Sequence, residues 1–268
     1  MPQSLSPAVY IIGAGPGDPE LLTLKAYRIL TQADVILYAN SLVPTQILED
    51  VRDDAELIPT GSQTLEEIIP LMGDRVRENK VVVRLHSGDL SLYSAIHEQI
   101  QALTIAEIPF ELIPGISAYQ DAAAKLGVEL TVPGLVQSII LTRSSGRASA
   151  VPKAEELASL AAHKASLCLY LSARHVETAQ DQLLQYYPAQ TGVGVCYRLG
   201  WPDEQIWVVP LDKMAEVTQE QQLIRTTLYV ISPALNRSQN SHSTARSRLY
   251  HPDHSHLFRP RSRRVKKS

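Results

Sequence analysis

The chain has 268 residues, 44% hydrophobic and 20% charged, enough apolar side chains to bury the core of one large or two modest domains. It holds no run of eighteen apolar residues, and residues 1–8 lack the charged start and apolar centre of a signal peptide, so neither a membrane partner nor secretion is expected. The net charge of −3 is unevenly spread: residues 236–268 carry nine Lys or Arg against one acid, Asp253, which leaves +8 on that tail and −11 on the body, a charge that argues against nucleic acid as a partner.

Short β-branched and leucine-rich runs alternate with helical patterns along the body, the arrangement of an α/β fold. A strand at 10–12 runs into a turn holding Gly13, Gly15 and Gly17 interleaved with Pro16 and followed by Pro19. A helix over 21–32 carries Leu21, Leu24, Tyr27 and Leu30 near one face and leads to a strand at 35–38. Thr64 and Glu67 form a capping box ahead of Leu65, Ile68, Ile69, Met72 and Val76, which predicts another helix. Strands at 81–85 and 110–113 follow, then a helix that starts near Ser117, a good N-cap, and ends at Gly127, a good residue just past a helix end. Pro133-Gly134 breaks the pattern and divides the body into α/β domains over 8–132 and 135–235, with the cleft between them as the default ligand site. In the second domain, strands are expected at 138–142, 167–171, 193–197, 206–210 and 228–232, with helices at about 153–163, 175–186 and 212–222. Residues 236–268 are poor in aliphatics and rich in Ser, Arg and His, which predicts a disordered basic tail. Its histidines, His242, His251, His254 and His256, have no fold to fix their geometry, so no metal site is expected. The only cysteines, Cys168 and Cys196, lie in apolar stretches and read as buried thiols of a cytoplasmic protein.

Three polar turns each follow a strand of the first half, and in an α/β sheet such strand ends share one crevice. The first, Gly13 to Pro19, spaces its glycines G-x-G-x-G and delays the helix with two prolines. Proline lacks an amide hydrogen and fixes φ, so this loop is built to lie beside a ligand rather than to line up amides round a pyrophosphate. The second runs from Arg84 to Tyr93 through Ser87-Gly88-Asp89, and the third is Pro114-Gly115-Ile116-Ser117-Ala118. Gly88 allows close backbone approach and Asp89 supplies a carboxylate acceptor, a pairing suited to a hydroxyl-bearing or cationic small molecule.

Taken in order, G-A-G-P-G-D-P-x-L-L-T, R-L-x-S-G-D-x-x-x-Y and P-G-I-S-A resemble the tetrapyrrole methylase family, whose members use S-adenosylmethionine in building corrins and sirohaem. The resemblance covers residues 8 to about 235. The segments YANSLV (38–43), LTRSSGR (141–147), LYLSARHVE (169–177) and CYRLGWPDEQI (196–206) are most similar to the branch that methylates carbon 11 of precorrin-4 or cobalt-precorrin-4 in cobalamin biosynthesis. The resemblance implies a homodimer of two-domain α/β chains, with the cofactor folded into the interdomain cleft. Carried over by position, the family's cofactor contacts fall on Pro16, on Ser87, Gly88, Asp89 and Leu92, and on Ser117 and Ala118. They continue on Leu171, on Tyr197, Arg198 and Leu199, and on Thr226, Thr227 and Leu228. Leu90 departs from the proline that the family usually places after Gly-Asp.

Methyl transfer from a sulfonium to an electron-rich ring carbon needs alignment and exclusion of water more than covalent chemistry. Asp89, Tyr93 and His86 are the nearby candidates for a proton acceptor, and nothing singles one out. A substrate bearing several carboxylates needs a local basic wall on an acidic body, and Arg143, Arg147, Arg174 and Arg198 all follow second-half strands. Motif context favours Arg143, Arg147 and Arg198. The alternatives are a family member acting on a different ring carbon, a diphthine or ribosomal-RNA methylating member, and a nicotinamide-dependent oxidoreductase. The last requires an acid at the end of the second strand, where the chain reads Tyr38-Ala39-Asn40-Ser41.

Overall fold

The computed structural model describes residues 5–145, 151–236, 254–255 and 257–259. The expectation for the tail therefore falls largely outside the described residues, as does Arg147. The first half contains β1 (Val9–Gly13), α1 (Leu24–Leu30), β2 (Val35–Tyr38), β3 (Glu56–Pro59), α2 (Leu65–Arg77), β4 (Val82–His86), α3 (Ile96–Ile105), β5 (Phe110–Ile113) and α4 (Ala118–Leu126). The second contains β6 (Ile139–Arg143), α5 (Leu157–Ala161), β7 (Ser166–Tyr170), α6 (Val176–Leu184), β8 (Gly192–Tyr197), β9 (Gln205–Pro210), α7 (Met214–Glu220) and β10 (Thr227–Ile231). No helix among the described residues is long and apolar enough to cross a membrane.

The expected strands lie within a residue or two of the observed ones. Helix α1 is shorter than the pattern over 21–32 because Thr23 caps it, its hydroxyl accepting from the Ala26 amide at 3.2 Å, after a 3-10 turn at Pro19–Leu21. The Thr64 amide donates to the Glu67 carboxylate at 2.7 Å, and the Ser117 amide to Gln120 Oε1 at 2.9 Å, so both helix starts carry capping boxes. Strand β3 and helix α3 have no counterpart in the sequence reading. β3 is an edge strand with little buried surface and so no alternation, and α3 starts from Ala95, which offers no capping side chain.

The ten strands form two five-stranded sheets. The first, ordered β3-β2-β4-β1-β5, is wholly parallel, and its central strands β1 and β4 are buried on both faces, which explains why they are continuously apolar or enclosed. The second, ordered β6-β7-β10-β8-β9, pairs β6 with β7 in parallel and is antiparallel elsewhere. Antiparallel β10 brings its own beginning to the edge where β7 and β8 end. Helix α4 belongs to the first half in sequence, yet Ala122 and Leu126 join Cys168, Cys196, Leu228 and Val230 in a core on the second sheet. A β-carbon at Gly194 would stand 2.7 Å from Leu126 Cδ1, so the glycine lets the helix seat closely. That contact ties the two halves together and fixes the cleft between them.

Candidate active site

The loops after β1, β4 and β5 meet through their backbones. Gly15 and Gly88 exchange amide hydrogen bonds at 3.2 and 2.7 Å, and the Ala14 amide donates to the His86 carbonyl at 2.7 Å. A β-carbon at Gly115 would fall 2.3 Å from the Gly88 carbonyl and 2.5 Å from that of Gly13, so only glycine permits this approach. Asp89 completes the junction. Its Oδ2 accepts from the Gly115 amide at 3.0 Å, and its Oδ1 accepts from the Ser91 amide at 3.0 Å and from the Ser91 hydroxyl. Burial pushes the Asp89 pKa up, but the hydrogen bonds from Ser91, Gly115 and the Leu90 amide outweigh it and hold the carboxyl below its ordinary range. A proline at position 90 would lack that amide, so the departure at Leu90 gives the carboxylate one more donor.

The first loop is also clamped to the second half. Gln46 Nε2 donates to the carbonyls of Gly17 at 2.7 Å and Gly200 at 2.6 Å. A β-carbon at Gly17 would lie 2.7 Å from Trp201, and one at Gly200 would lie 2.4 Å from the Asp18 amide nitrogen.

Between the two sheets lies a cavity of about 400 Å³, a volume typical of small-molecule sites. From the first half it is lined by Pro16, Leu42, Ser87, Gly88, Asp89, Leu92, Tyr93, Ser117 and Ala118. From the second, the end of β7 supplies Tyr170 to Arg174, β8 and its turn supply Cys196 and Leu199, and the approach to β10 supplies Ile224 to Leu228. The walls are mostly apolar, with Ser87, Ser117, Thr226 and Thr227 among the lining; the Ser117 hydroxyl pairs with that of Tyr170 at 3.0 Å and the Thr227 hydroxyl donates to the Arg225 carbonyl at 3.1 Å. Leu171 at φ 53 and Thr226 at φ 52 hold left-handed backbones that side-chain-bearing residues rarely adopt. Such strain persists only where the surroundings enforce it, and it collects at ligand sites.

The structure thus gathers twelve of the fourteen expected cofactor contacts on one wall or another of this cavity. Tyr197 and Arg198 do not line it; the Arg198 guanidinium stacks 4.4 Å from the Trp201 ring and pairs with Asp203. Among the expected arginines, Arg143 sits at the end of β6 outside the lining, whereas Arg174 and Arg225 are exposed on it. Arg225 has no signal in the sequence beyond its place before a strand. Of the proton-acceptor candidates, Asp89 has both oxygens occupied by donors. His86 lies behind the cavity wall, where burial, reinforced by Arg84 and opposed by Gln99, lowers its pKa to about 4 and keeps the ring neutral. Tyr93 lines the cavity, but burial, together with Glu155 and against Arg143, raises its pKa and disfavours the phenolate.

A parallel sheet whose strand ends open on a cleft, closed from above by a mixed sheet and walled by three glycine-tight turns, defines a small-molecule enzyme fold with a cofactor-sized cavity between its sheets. The model of the tetrapyrrole (corrin/porphyrin) methylases matches residues 8–215, and the chain belongs to that family. It is 40% identical to the precorrin-4 C(11)-methyltransferase of Pseudomonas aeruginosa over 94% of this chain and 98% of that one. It is 39% identical to the cobalt-precorrin-4 C(11)-methyltransferase of Methanocaldococcus jannaschii over 94% and 95%. Its fold matches the crystal structure of a cobalt-precorrin-4 methyltransferase with a TM-score of 0.83 at 38% identity, covering 88% of this chain and 99% of that one. It also matches the uroporphyrin-III C-methyltransferase of Thermus thermophilus in complex with S-adenosylhomocysteine, with a TM-score of 0.71 at 28% identity over 86% and 99%.

Proposed function

We propose that this protein transfers a methyl group from S-adenosylmethionine to carbon 11 of precorrin-4 or cobalt-precorrin-4 in cobalamin biosynthesis. The observation that carries the reading is near-full-length similarity to enzymes of that activity, at 38–40% identity, in a chain with a cofactor-sized cavity between its sheets. The cavity suits the cofactor: its mostly apolar walls fit the adenine, and the backbone is held in the left-handed region at Leu171 and Thr226 beside it. Bound there, S-adenosylmethionine supplies an activated methyl on a sulfonium.

The chain's own residues do the rest by positioning. Asp89 locks the second and third turns together, Pro16 and Leu92 wall the cavity without competing polar groups, and the clamp at Gln46 keeps the halves at a fixed separation. Twelve cofactor contacts, Pro16, Ser87, Gly88, Asp89, Leu92, Ser117, Ala118, Leu171, Leu199, Thr226, Thr227 and Leu228, are supported by their place on the lining. Arg174 and Arg225, exposed at the rim, are the guanidinium groups best set to take substrate carboxylates, with Arg143 near Tyr93. The functional unit is a cytoplasmic homodimer of chains divided into units over 8–132 and 135–235.

The test is direct. Purified protein incubated with S-adenosylmethionine and precorrin-4, with and without cobalt, should yield a product heavier by one methyl group in mass spectrometry, attached at carbon 11 by NMR. Methylation of an earlier or later intermediate instead would overturn the ring position and leave the family intact.

A further inference from the structure

Tyr93 stands out on the cavity wall for a property the methyl-transfer chemistry leaves unused. It lines the cavity yet keeps 44% of its surface exposed, and its backbone sits at φ 54, a conformation that an aromatic residue seldom enters. Its ring packs against that of Tyr170 in a tilted pair, with centroids 5.5 Å apart and planes inclined by 54°. Tyr170 is itself fixed: its hydroxyl lies 3.0 Å from the Ser117 hydroxyl and accepts from the Tyr119 amide at 3.2 Å. The Tyr93 ring is therefore braced by a partly buried, hydrogen-bonded ring of the other half, while much of its own surface stays exposed. Its hydroxyl forms no hydrogen bond among the described residues, so the π face rather than the phenol is the group on offer.

We propose that the exposed face of Tyr93 is a stacking platform for one pyrrole ring of the tetrapyrrole, making it a substrate-positioning residue that sets which ring carbon meets the methyl donor. This rests on the methyltransferase reading above. A conjugated ring of the macrocycle is oriented far better by a rigid aromatic face than by flexible arginines, which fix its carboxylates but leave it free to rotate. The left-handed backbone matters because it turns a side chain out from a strand-end loop that would otherwise follow the sheet. Tyr170 then stops the ring from folding away.

The variants are Tyr93→Asn, which suits a left-handed backbone and removes the ring, and Tyr93→Phe, which keeps it. Tyr93→Asn should raise KM for the tetrapyrrole by about tenfold or more, on the scale of base–aromatic stacking. The affinity for S-adenosylhomocysteine by calorimetry should stay within about twofold, and Tyr93→Phe should bring KM back to within about threefold of the parent. An unchanged KM in Tyr93→Asn, or a Phe variant as impaired as the Asn variant, overturns the platform. Uroporphyrin binding to protein loaded with S-adenosylhomocysteine, followed by absorbance, separates this failure from that of the ring assignment. Binding lost in the Asn variant and regained in the Phe variant upholds the platform even if the methyl lands on another carbon. Equal binding by all three proteins removes it, and a parent protein with neither binding nor turnover removes both readings.

Discussion

Asp89 shows how one side chain can serve a site without taking part in the chemistry. A carboxylate after a strand, beside a glycine, invites the role of base or ribose acceptor, and the sequence leaves both open. In the structure its two oxygens accept from Gly115 and Ser91, so the carboxylate is the bolt between the second and third turns. Asparagine would present one oxygen and one N–H2 where two acceptors are needed, and the backbone amide of Gly115 or Ser91 would face a donor. Asp89→Asn should therefore weaken S-adenosylhomocysteine binding about tenfold by calorimetry, the scale of one lost charge-assisted hydrogen bond, while circular dichroism reports an unchanged fold. The pH dependence follows from the same geometry. The folded pKa lies below the ordinary 3.8, so the brace is complete above that value and is lost only as the pH falls through the lowered one. Binding by the parent protein should be insensitive to this group from neutral pH down to about 3.8, and a decline centred well above it would show that the carboxylate is not held as described.

Helix α4 carries the same lesson at the next scale. Its limits were legible because Ser117 and Gly127 are chemical start and stop marks: a hydroxyl that caps, and a residue at φ 62 that needs no β-carbon. Its partner was not. An apolar stripe says that a helix buries one face, and it does not say against which sheet. Strand β3 and helix α3 were missed for the converse reason, since neither carries a mark: one has no buried alternation and the other no capping side chain. The packing of α4 makes it the beam between the halves, with Leu126 only 3% exposed and seated over Gly194. Leu126→Ala should cost about 3 kcal/mol in urea unfolding, within the range for emptying a core leucine. Because the cavity shares this beam, affinity for S-adenosylhomocysteine should fall as well; a stability loss with no change in binding would mean that α4 holds the second sheet together but not the cleft.

At the scale of the whole molecule, the alternation of strands and helices reveals an α/β chain but not the direction of its strands. The first sheet is parallel throughout, while β10 runs against both its neighbours, and that reversal carries Thr226, Thr227 and Leu228 to the cleft. Motif resemblance could place those residues in the site; periodicity could not. The arginines were hardest to place, because a guanidinium at a strand end is consistent with a carboxylate partner or with an aromatic one, and Arg198 has both in Asp203 and Trp201. Composition changes at 236, but Asn236 itself belongs to the body: its Oδ1 accepts from the Gly192 amide at 2.6 Å, and Leu235 before it is buried against the same glycine. Ser232 adds a buried bond to Ser166 at 2.8 Å. Ending the chain after Asn236 should leave turnover within about twofold and the unfolding midpoint unchanged, whereas ending it after Ile231 should cost roughly 2–4 kcal/mol through the lost cap, the Leu235 contact and the orphaned Gly192 amide. A large loss of turnover in the longer truncation product would show that the basic segment takes part in the reaction, and equal stability of the two products would show that residues 232–236 do not close the second sheet.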